Sequence, residues 1–409
     1  MGGEAVVNVT YDGNVLTGDS QARERFYDSR GYGQPRDGRL ELAPVEAAHL
    51  LFRGDLEYVR DERPGTEHSR LDFHEFLTTG AVSEVAFFVY KELRDRGFYL
   101  SPIRDTSGSH EFVVYPRGQG PWDDTVAYRV LAVSERETVS VNTCQQLCHS
   151  DREGTGVLAV VDEESEVTYL ELGIPDIDGE TLVDLPPFEG DLLADRVLVR
   201  DPPENLYQQA FYGQQLDRDE RPLQLSLVEA AHLVETGTLE INLHEGINKG
   251  KYNSYERNNK QYYSHEGYKN DSGSYEGDNN QDSKSHKGKN RDTENGRPGQ
   301  QAVLERGRQV EGDRFDRRLR VYSELRERRV VPKTGFKFGA DFRTYADVES
   351  AENLGHSELL VRVLPLQHTF RPRDLALDVR LAHGVRKQMV FALTGKDTIE
   401  WLSIERLTP

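Results

Sequence analysis

The 409-residue chain contains only two cysteines, Cys144 and Cys148, which lie four positions apart. Two cysteines so close in sequence cannot form a disulfide framework, so we expect the protein to work in a reducing cytoplasm. A histidine follows at position 149, but three possible ligands in one short run without a distant fourth are a weak sign of a zinc site. We therefore predict no metal site and no other cofactor.

Long apolar runs are also missing. Hydrophobic residues make up 36% of the chain, and no run reaches the roughly 18 apolar residues that a membrane span requires. The start, MGGEAVVNVT, is acidic and polar, whereas a signal peptide is basic and then apolar. The sequence therefore predicts neither secretion nor a membrane partner. It also contains no P-loop and no Gly-x-Gly-x-x-Gly before a helix, the common motifs of nucleotide binding.

Lysine is scarce relative to arginine. Of the 51 basic residues 39 are arginines, and seven of the 12 lysines lie between positions 249 and 289. Acidic residues number 71, which gives a net charge of -20. An acidic, arginine-rich composition is typical of proteins that stay soluble in concentrated salt, whereas genomic arginine bias would not explain the acid excess. We interpret the charge as salt adaptation, although such acidity would ordinarily argue against a nucleic-acid partner.

One segment differs sharply from the rest in composition. From Asn248 to Ala302 there is no Val, Ile, Leu, Met, Phe or Trp. A stretch of this kind cannot bury enough apolar surface to offset its conformational entropy, so we predict a disordered insertion at 248–302. Its tyrosines could stack on RNA bases and its lysines could contact phosphates, but a tolerated surface insertion is the commoner case.

Four blocks of sequence recur in the same order, which predicts a duplicated module. The matching pairs are 31–50 with 211–233, 89–96 with 321–328, 128–133 with 361–366, and 167–172 with 399–404. We predict a first copy at 1–175 and a second copy at 180–409, with the insertion inside the second.

Within each copy, helix signals come first and strand signals follow. Ser226 and Glu229 form a capping box, and Pro44 occupies the corresponding helix start in the first copy. A second helix follows, with apolar residues at helical spacing in Phe315, Leu319, Tyr322 and Leu325. Short β-rich runs come next, at 359–364, 388–393 and 399–404. We predict an α/β (α+β) fold in which each copy has an N-terminal helix-containing subdomain and a C-terminal β-sheet subdomain of catalytic type, at about 310–409 in the second copy.

The duplication provides a control for candidate catalytic residues, because a reactive side chain in one copy can be compared with its counterpart. The second copy has a tyrosine, a histidine and a lysine at Tyr345, His356 and Lys387. The residues that we align with them in the first copy are Tyr115, Asp123 and Thr155. Only the second copy can therefore hold a complete Tyr/His/Lys set.

Three segments of the second copy, 340–345, 355–361 and 379–387, resemble the catalytic domain of archaeal transfer-RNA splicing endonucleases. The separations of 11 residues from Tyr345 to His356 and of 31 from His356 to Lys387 suit that family's pattern. Two fused modules with one complete triad resemble its tandem-repeat, homodimeric type, and only 248–302 has no counterpart. The resemblance implies a tRNA-intron lyase that excises introns from precursor tRNA at bulge-helix-bulge sites, with a catalytically degenerate, structural first copy.

The implied reaction needs no metal. The 2'-hydroxyl of the RNA attacks the neighbouring phosphorus and leaves a 2',3'-cyclic phosphate and a 5'-hydroxyl, which requires a base, an acid and a cation. The resemblance assigns these roles to Tyr345, His356 and Lys387 respectively. A histidine pKa near 6.5 suits an acid, whereas a phenol with a pKa of about 10 needs a nearby cation, or else chiefly orients the 2'-hydroxyl.

The resemblance also implies an arginine pair that clamps an extruded bulge base by stacking. The matching positions are Arg380 and Arg406, with Arg386 as an alternative to Arg380. An acidic turn between two strands of the first copy resembles a loop that, in this family, docks on the partner subunit. In so acidic a chain, a simple solvated turn is almost equally expected. The acidic residues of this turn are Asp162, Glu163 and Glu164.

Two other functions stay open at this point. In one, the chain is a catalytically inactive RNA-binding or assembly subunit whose second copy keeps its fold for packing. In the other, it is a metal-dependent nuclease of similar sheet topology. The second copy has no obvious Asp and Glu-x-Lys cluster for magnesium, which disfavours the latter.

Overall fold

The computed structural model describes residues 7–65, 69–103, 110–148, 153–217, 222–243 and 298–409. The predicted insertion lies outside these ranges except for its last five residues, 298–302, which form the start of a helix. These five residues are helical, whereas the prediction had included them in a disordered segment. No helix among the described residues is long and apolar enough to cross a membrane.

The first copy contains the following helices and strands. The helices are α1 (Ser20–Ala22), which continues as a π-helix (Arg23–Asp28), α2 (Pro44–Phe52), α3 (Phe73–Thr78), α4 (Glu84–Asp95) and α5 (Val141–Cys148). The strands are β1 (Val9–Tyr11), β2 (Leu16–Gly18), β3 (Gln34–Arg36), β4 (Arg39–Leu42), β5 (Val59–Asp61), β6 (Arg70–Leu71), β7 (Leu100–Pro102), β8 (Phe112–Val114), β9 (Tyr128–Ser134), β10 (Val139–Ser140), β11 (Thr155–Val161) and β12 (Val167–Gly173).

The second copy has a matching series. Its helices are α6 (Glu204–Gln208), α7 (Leu227–Glu235), α8 (Pro298–Glu311), α9 (Arg314–Glu327) and α10 (Pro372–Gly384), with a 3-10 turn at Phe336–Phe338. Its strands are β13 (Phe188–Leu192), β14 (Arg196–Val199), β15 (Gln214–Gln215), β16 (Leu223–Ser226), β17 (Leu239–Asn242), β18 (Val331–Thr334), β19 (Phe342–Tyr345), β20 (Leu359–Pro365), β21 (Thr369–Phe370), β22 (Gln388–Thr394) and β23 (Ile399–Leu407).

The helix signals in the sequence are confirmed. At the start of α7, Glu229 N donates to Ser226 Oγ at 3.3 Å and Ser226 N donates to Glu229 Oε2 at 2.9 Å, which completes the predicted capping box. Pro44 is the first residue of α2. The four apolar residues predicted to share a face of α9 are all buried.

The chain divides into two compact units. The first comprises Met1–Thr181, Glu324–Val348 and Leu354–Pro409, and the second comprises Leu182–Ser323 and Glu349–Asn353. The first unit thus contains the first copy together with the strands β18 to β23 of the second, while the second unit holds the N-terminal part of the second copy.

A ten-stranded sheet in the first unit joins the two copies. Its order is β18-β19-β20-β22-β23-β12-β11-β9-β8-β7, so each copy contributes five strands. The central pair, β23 and β12, is antiparallel, with Glu171 opposite Glu405. Buried residues of α5 and α10 share one hydrophobic core with the middle strands. The two halves of the sheet are therefore related as the halves of a two-fold dimer, within a single chain.

Each copy also begins with a small sheet. The sequence had predicted that helices come first in each copy and strands afterwards, so these sheets were not predicted. The first unit has β3-β4-β2-β1-β5-β6, and the second unit has β15-β16-β14-β13-β17. Their strands are at most five residues long, too short to give a clear alternating pattern in the sequence. The predicted α/β class is confirmed, with more strand in the N-terminal part of each copy than expected.

A buried carboxylate explains why the first pair of blocks recurs. Glu46 accepts hydrogen bonds from Gly33 N at 2.7 Å and from Ala43 N at 2.8 Å. In the second copy, Glu229 Oε1 accepts from Gly213 N at 2.9 Å in the same way. Both glycines have positive φ, and a Cβ on either would come within 2.5 Å of a backbone oxygen. The shared Gly and Glu thus close the same turn onto the same helix.

The sheet register corrects one pair of blocks. Val130 of β9 pairs with Phe112 of β8, and Val361 of β20 pairs with the matching Phe342 of β19. Val361 therefore corresponds to Val130, whereas the sequence comparison had aligned it with Tyr128. A slip of two residues keeps every side chain on its own face of a strand, so the hydrophobic pattern alone could not detect the error.

Candidate active site

Backbone hydrogen bonds at one edge of the ten-stranded sheet bring the predicted Tyr, His and Lys positions together. Tyr345 ends β19, and the carbonyl of the residue before it accepts a hydrogen bond from Glu358 N at 3.1 Å. Lys387 directly precedes β22, and the amide of the residue after it donates to Glu358 O at 3.1 Å. His356 lies two residues before Glu358, in the segment that joins β19 to β20. Glu358 thus links the three elements that carry the set.

The ammonium group of Lys387 is held beside the histidine segment. Lys387 Nζ donates a hydrogen bond to the carbonyl of Ser357, the residue next to His356. The same nitrogen lies 5.9 Å from the ring centroid of Phe338. Partial burial and the nearby positive charge of Arg343 lower the pKa of Lys387. The site therefore holds a cation at a fixed position in a partly desolvated setting.

Tyr345 and His356 differ in exposure. Tyr345 is only 5% exposed, and Arg343 Cζ lies 5.7 Å from its ring centroid. Arg343 thus places a positive charge beside the ring of Tyr345. His356 is exposed to solvent, where an incoming ligand can reach it.

The first copy lacks this arrangement, and the register changes two of the predicted counterparts. Tyr128 pairs with Thr155 of β11, and its counterpart Leu359 pairs with Gln388 of β22. Gln388 therefore corresponds to Thr155, and Lys387 corresponds to Gly154 and not to Thr155. Counting back three residues from Leu359 and from its counterpart Tyr128 makes Thr125, not Asp123, the counterpart of His356, because the block at Val361 was aligned two residues out of register. Gly154 has a φ of +92° and no side chain that could replace the lysine.

The two arginines of the predicted clamp lie on different elements. Arg380 is exposed on α10. Arg406 is exposed on β23, two residues beyond Ile404, which pairs with Met389 of β22, so Arg406 lies at the same edge of the sheet as Lys387. Arg386 is also exposed and has a φ of +57°. The clamp, formed by Arg406 with Arg380 or Arg386, stays a prediction.

The acidic turn predicted to contact a partner is a well-defined connection between β11 and β12. Asp162 Oδ1 accepts hydrogen bonds from Glu164 N and Glu166 N, both at 2.9 Å, while Glu163 and Glu164 are exposed. Because β11 and β22 run in opposite directions, this turn lies at the same sheet edge as Lys387. Three strand spacings, about 14 Å, separate the two strands.

Metal-binding chemistry has no further support in the described part of the chain. No group of three or more His, Cys, Asp or Glu residues is placed there to hold a metal ion. Cys144 and Cys148 are free thiols, and burial raises the pKa of Cys144 to about 12, which disfavours the thiolate that a metal would need. The neighbouring histidine at 149 lies outside the described residues.

Sequence reasoning missed the supporting residues of the site. Arg343, Phe338 and the carbonyl of Ser357 all contact or surround the set, but none is part of a spacing pattern. Their roles depend on the path of the loops, which a linear pattern does not describe. Arg343, two residues before Tyr345 and therefore on the same face of β19, could have been proposed as a neighbour of the tyrosine.

Comparison with known proteins identifies the family. The model of the tRNA intron endonuclease catalytic C-terminal domain matches residues 315–401, and that of the tRNA intron endonuclease N-terminal domain matches twice, at 9–70 and 188–248. The double match confirms the predicted internal repeat.

Whole-chain similarity agrees with the domain matches. A tRNA-splicing endonuclease from Haloarcula marismortui is 52% identical, over 98% of this chain and 100% of that protein. Those from Natronomonas pharaonis and Haloferax volcanii are 48% and 45% identical, each over 97% of this chain and 98% of the relative. These organisms are halophilic archaea, in agreement with the predicted salt adaptation. The chain therefore belongs to the tRNA intron endonuclease family, with two N-terminal domains and a catalytic domain in its second copy.

Proposed function

We propose that the protein excises introns from precursor tRNA by cutting bulge-helix-bulge sites without a metal ion. The observation that carries this proposal is the convergence of Tyr345, His356 and Lys387 on Glu358 at one edge of the sheet. The first copy has no histidine or lysine at the corresponding positions, so each chain provides one such site.

The proposed reaction is an internal transesterification. Tyr345, beside Arg343, takes up or orients the proton of the 2'-hydroxyl, whose oxygen forms the new bond to phosphorus. Lys387 stabilises the negative charge that develops on the phosphorane oxygens. His356 donates its proton to the 5'-oxygen as the bond from phosphorus to that oxygen breaks. The products are a 2',3'-cyclic phosphate and a 5'-hydroxyl.

We also propose that the enzyme is a homodimer that works in the cytoplasm. A bulge-helix-bulge substrate offers two cleavage sites, whereas one chain carries one complete set, so a two-fold pair of chains would present one set to each bulge. The exposed acidic turn at 162–166 is the surface that we propose contacts the partner. Recognition would rest on RNA shape and on splayed bases.

Cleavage in the presence of a chelator tests the proposal. Full-length protein in concentrated KCl with EDTA should cut a bulge-helix-bulge RNA, because none of the proposed steps uses a metal. The product ends should be cyclic phosphates, recognised by acid opening followed by phosphatase treatment. Cleavage that occurs only with added magnesium would overturn the mechanism. RNA binding without any cleavage would instead favour an inactive binding subunit.

A further inference from the structure

Helix α10 exposes an unusual stripe of residues directly upstream of Lys387. Its buried face, which includes Leu375, Val379 and Ala382, packs into the core of the sheet. The opposite face consists of residues that are all exposed and recur at helical spacing. These residues, which we name the α10 stripe, are Arg373, Leu377, Arg380, Leu381 and Gly384.

The leucines of the stripe are the first sign of a binding surface. Leu377 is 54% exposed and Leu381 is 52% exposed, and they lie one helical turn apart. Apolar side chains placed on the outer face of a helix that already has a complete buried face do not serve its packing. They are available to a binding partner.

The arginines of the stripe are the second sign. Neither Arg373 nor Arg380 has a carboxylate three or four residues away along the helix. In the part of the chain that the structure describes, neither makes a hydrogen bond or ion pair, although acidic residues outnumber basic ones. Asp378 of the same helix pairs with Arg362 of β20 instead. The two guanidinium groups therefore remain available for an anion.

Local charge identifies the kind of partner. Residues 371–387 contain five basic and two acidic residues, within a chain whose net charge is -20. This local excess of positive charge is complementary to a polyanion such as an RNA backbone, and it lies directly upstream of a residue of the proposed RNA-cleaving set. The stripe extends about 16 Å along the helix and ends three residues before Lys387.

The first copy again serves as a control. Its counterpart helix, α5, packs into the same core but exposes the uncharged Asn142 and Gln146. The corresponding segment, 141–154, contains one basic and two acidic residues. Like His356 and Lys387, the stripe is therefore present only in the copy with the complete set, so it is not required by the fold.

We infer that the α10 stripe is a contact surface for the substrate RNA, with Arg373 binding a backbone phosphate and Leu377 and Leu381 contacting a splayed base or its ribose. This inference rests on the proposed function and extends it beyond the predicted base clamp at Arg380. In this inference Arg373 and the two leucines bind the substrate, and the Tyr/His/Lys set contacts the reacting atoms.

Three variants with the same change in net charge test the inference. Arg373→Gln and Leu381→Glu alter the stripe, and Gln146→Glu alters the counterpart helix. With full-length protein, the first two should weaken binding of a bulge-helix-bulge RNA about three- to tenfold. Single-turnover cleavage at saturating enzyme, measured in parallel, separates a loss of binding from a loss of the chemical step. For Arg373→Gln the dependence of log Kd on log salt should become less steep by about 0.7 to 0.9.

The outcomes separate the alternatives. If both stripe variants bind RNA as Gln146→Glu and the unmodified protein do, the inference is wrong even though the unmodified protein cleaves. If the unmodified protein fails to cleave at all, the proposed function fails instead. If the stripe variants lower the mass in sedimentation without changing the salt dependence of RNA binding, the stripe is a contact between copies, and the inference is overturned.

Discussion

At the scale of single residues, the two copies share side chains that hold the fold and differ at the positions proposed for the chemistry. Glu46 and Glu229 are present in both copies because each accepts hydrogen bonds from a buried turn and helix start. His356 and Lys387 are present in one copy, and the residues that replace them are Thr125 and Gly154. The residues that hold the fold thus occur twice, whereas those proposed for the chemistry occur once.

Changing His356 to Ala should reduce the cleavage rate by about 10²- to 10⁴-fold, because the leaving 5'-oxygen loses its proton donor. RNA binding should be preserved, since His356 is exposed and its loss leaves the sheet unchanged. Single-turnover cleavage together with a binding titration checks both expectations. The matched control is Thr125→Ala, at the corresponding exposed position of the first copy. An equal loss in both variants would contradict a single site in each chain.

The sequence was sufficient to propose this set, but not to assign all of its neighbours. Tyr345, His356 and Lys387 could be found because their order and spacing resemble a known pattern. The alignment of Lys387 with Thr155 was wrong by one residue, because β11 and β22 are buried on both faces and their hydrophobic patterns do not reveal such a slip. Arg343 and the Ser357 carbonyl act through side-chain and loop geometry, which no spacing encodes.

At the scale of elements, prediction succeeded where a periodic pattern is long. Helix α9 spans 14 residues and strands β20 and β22 seven each, so their hydrophobic patterns were readable. The small sheets at the start of each copy were missed, because strands of two to five residues give no reliable period. Their turns depend instead on glycines with positive φ and on one buried carboxylate.

Changing Glu46 to Ala should destabilise the first unit by about 2 to 5 kcal/mol, because two buried backbone N–H groups lose their acceptor. The control is Glu57→Ala, which removes an exposed carboxylate and should change stability by less than about 0.5 kcal/mol. Chemical denaturation in concentrated salt measures the difference. If the two variants had equal stability, the buried Glu46 would not be the residue that holds this turn.

At the scale of the whole molecule, the ten-stranded sheet joins the two copies through the pairing of β12 with β23. Glu171 and Glu405 lie directly opposite each other at this joint. Burial and the neighbouring charge of Glu405 raise the pKa of Glu171, so the folded protein binds that proton more tightly than the unfolded chain. The joint is therefore less stable above this pKa than below it, and salt that screens the repulsion should strengthen it.

Changing Glu171 to Gln should stabilise the protein by about 0.2 to 1 kcal/mol at neutral pH, because it removes one of two like charges placed opposite each other. The gain should shrink as salt rises from about 0.1 M to about 1 M, where the screening length falls from about 10 Å to about 3 Å. It should also shrink below the pKa of Glu171, where the carboxyl is already neutral. Unfolding midpoints at several salt concentrations measure the effect, and a gain that does not depend on salt would contradict this explanation.

The outer strands of this sheet determine how far it can grow. β7 and β18 are its two outermost strands, and each contains a proline, Pro102 and Pro332 respectively. A proline lacks the N–H that an added strand would need, so neither edge is a good template for a further strand. The two halves of the sheet are thus joined through β12 and β23, and the two outermost strands each carry a proline. This arrangement should protect the sheet from edge-to-edge aggregation. A second chain that meets this sheet must then bind it through loops and side chains.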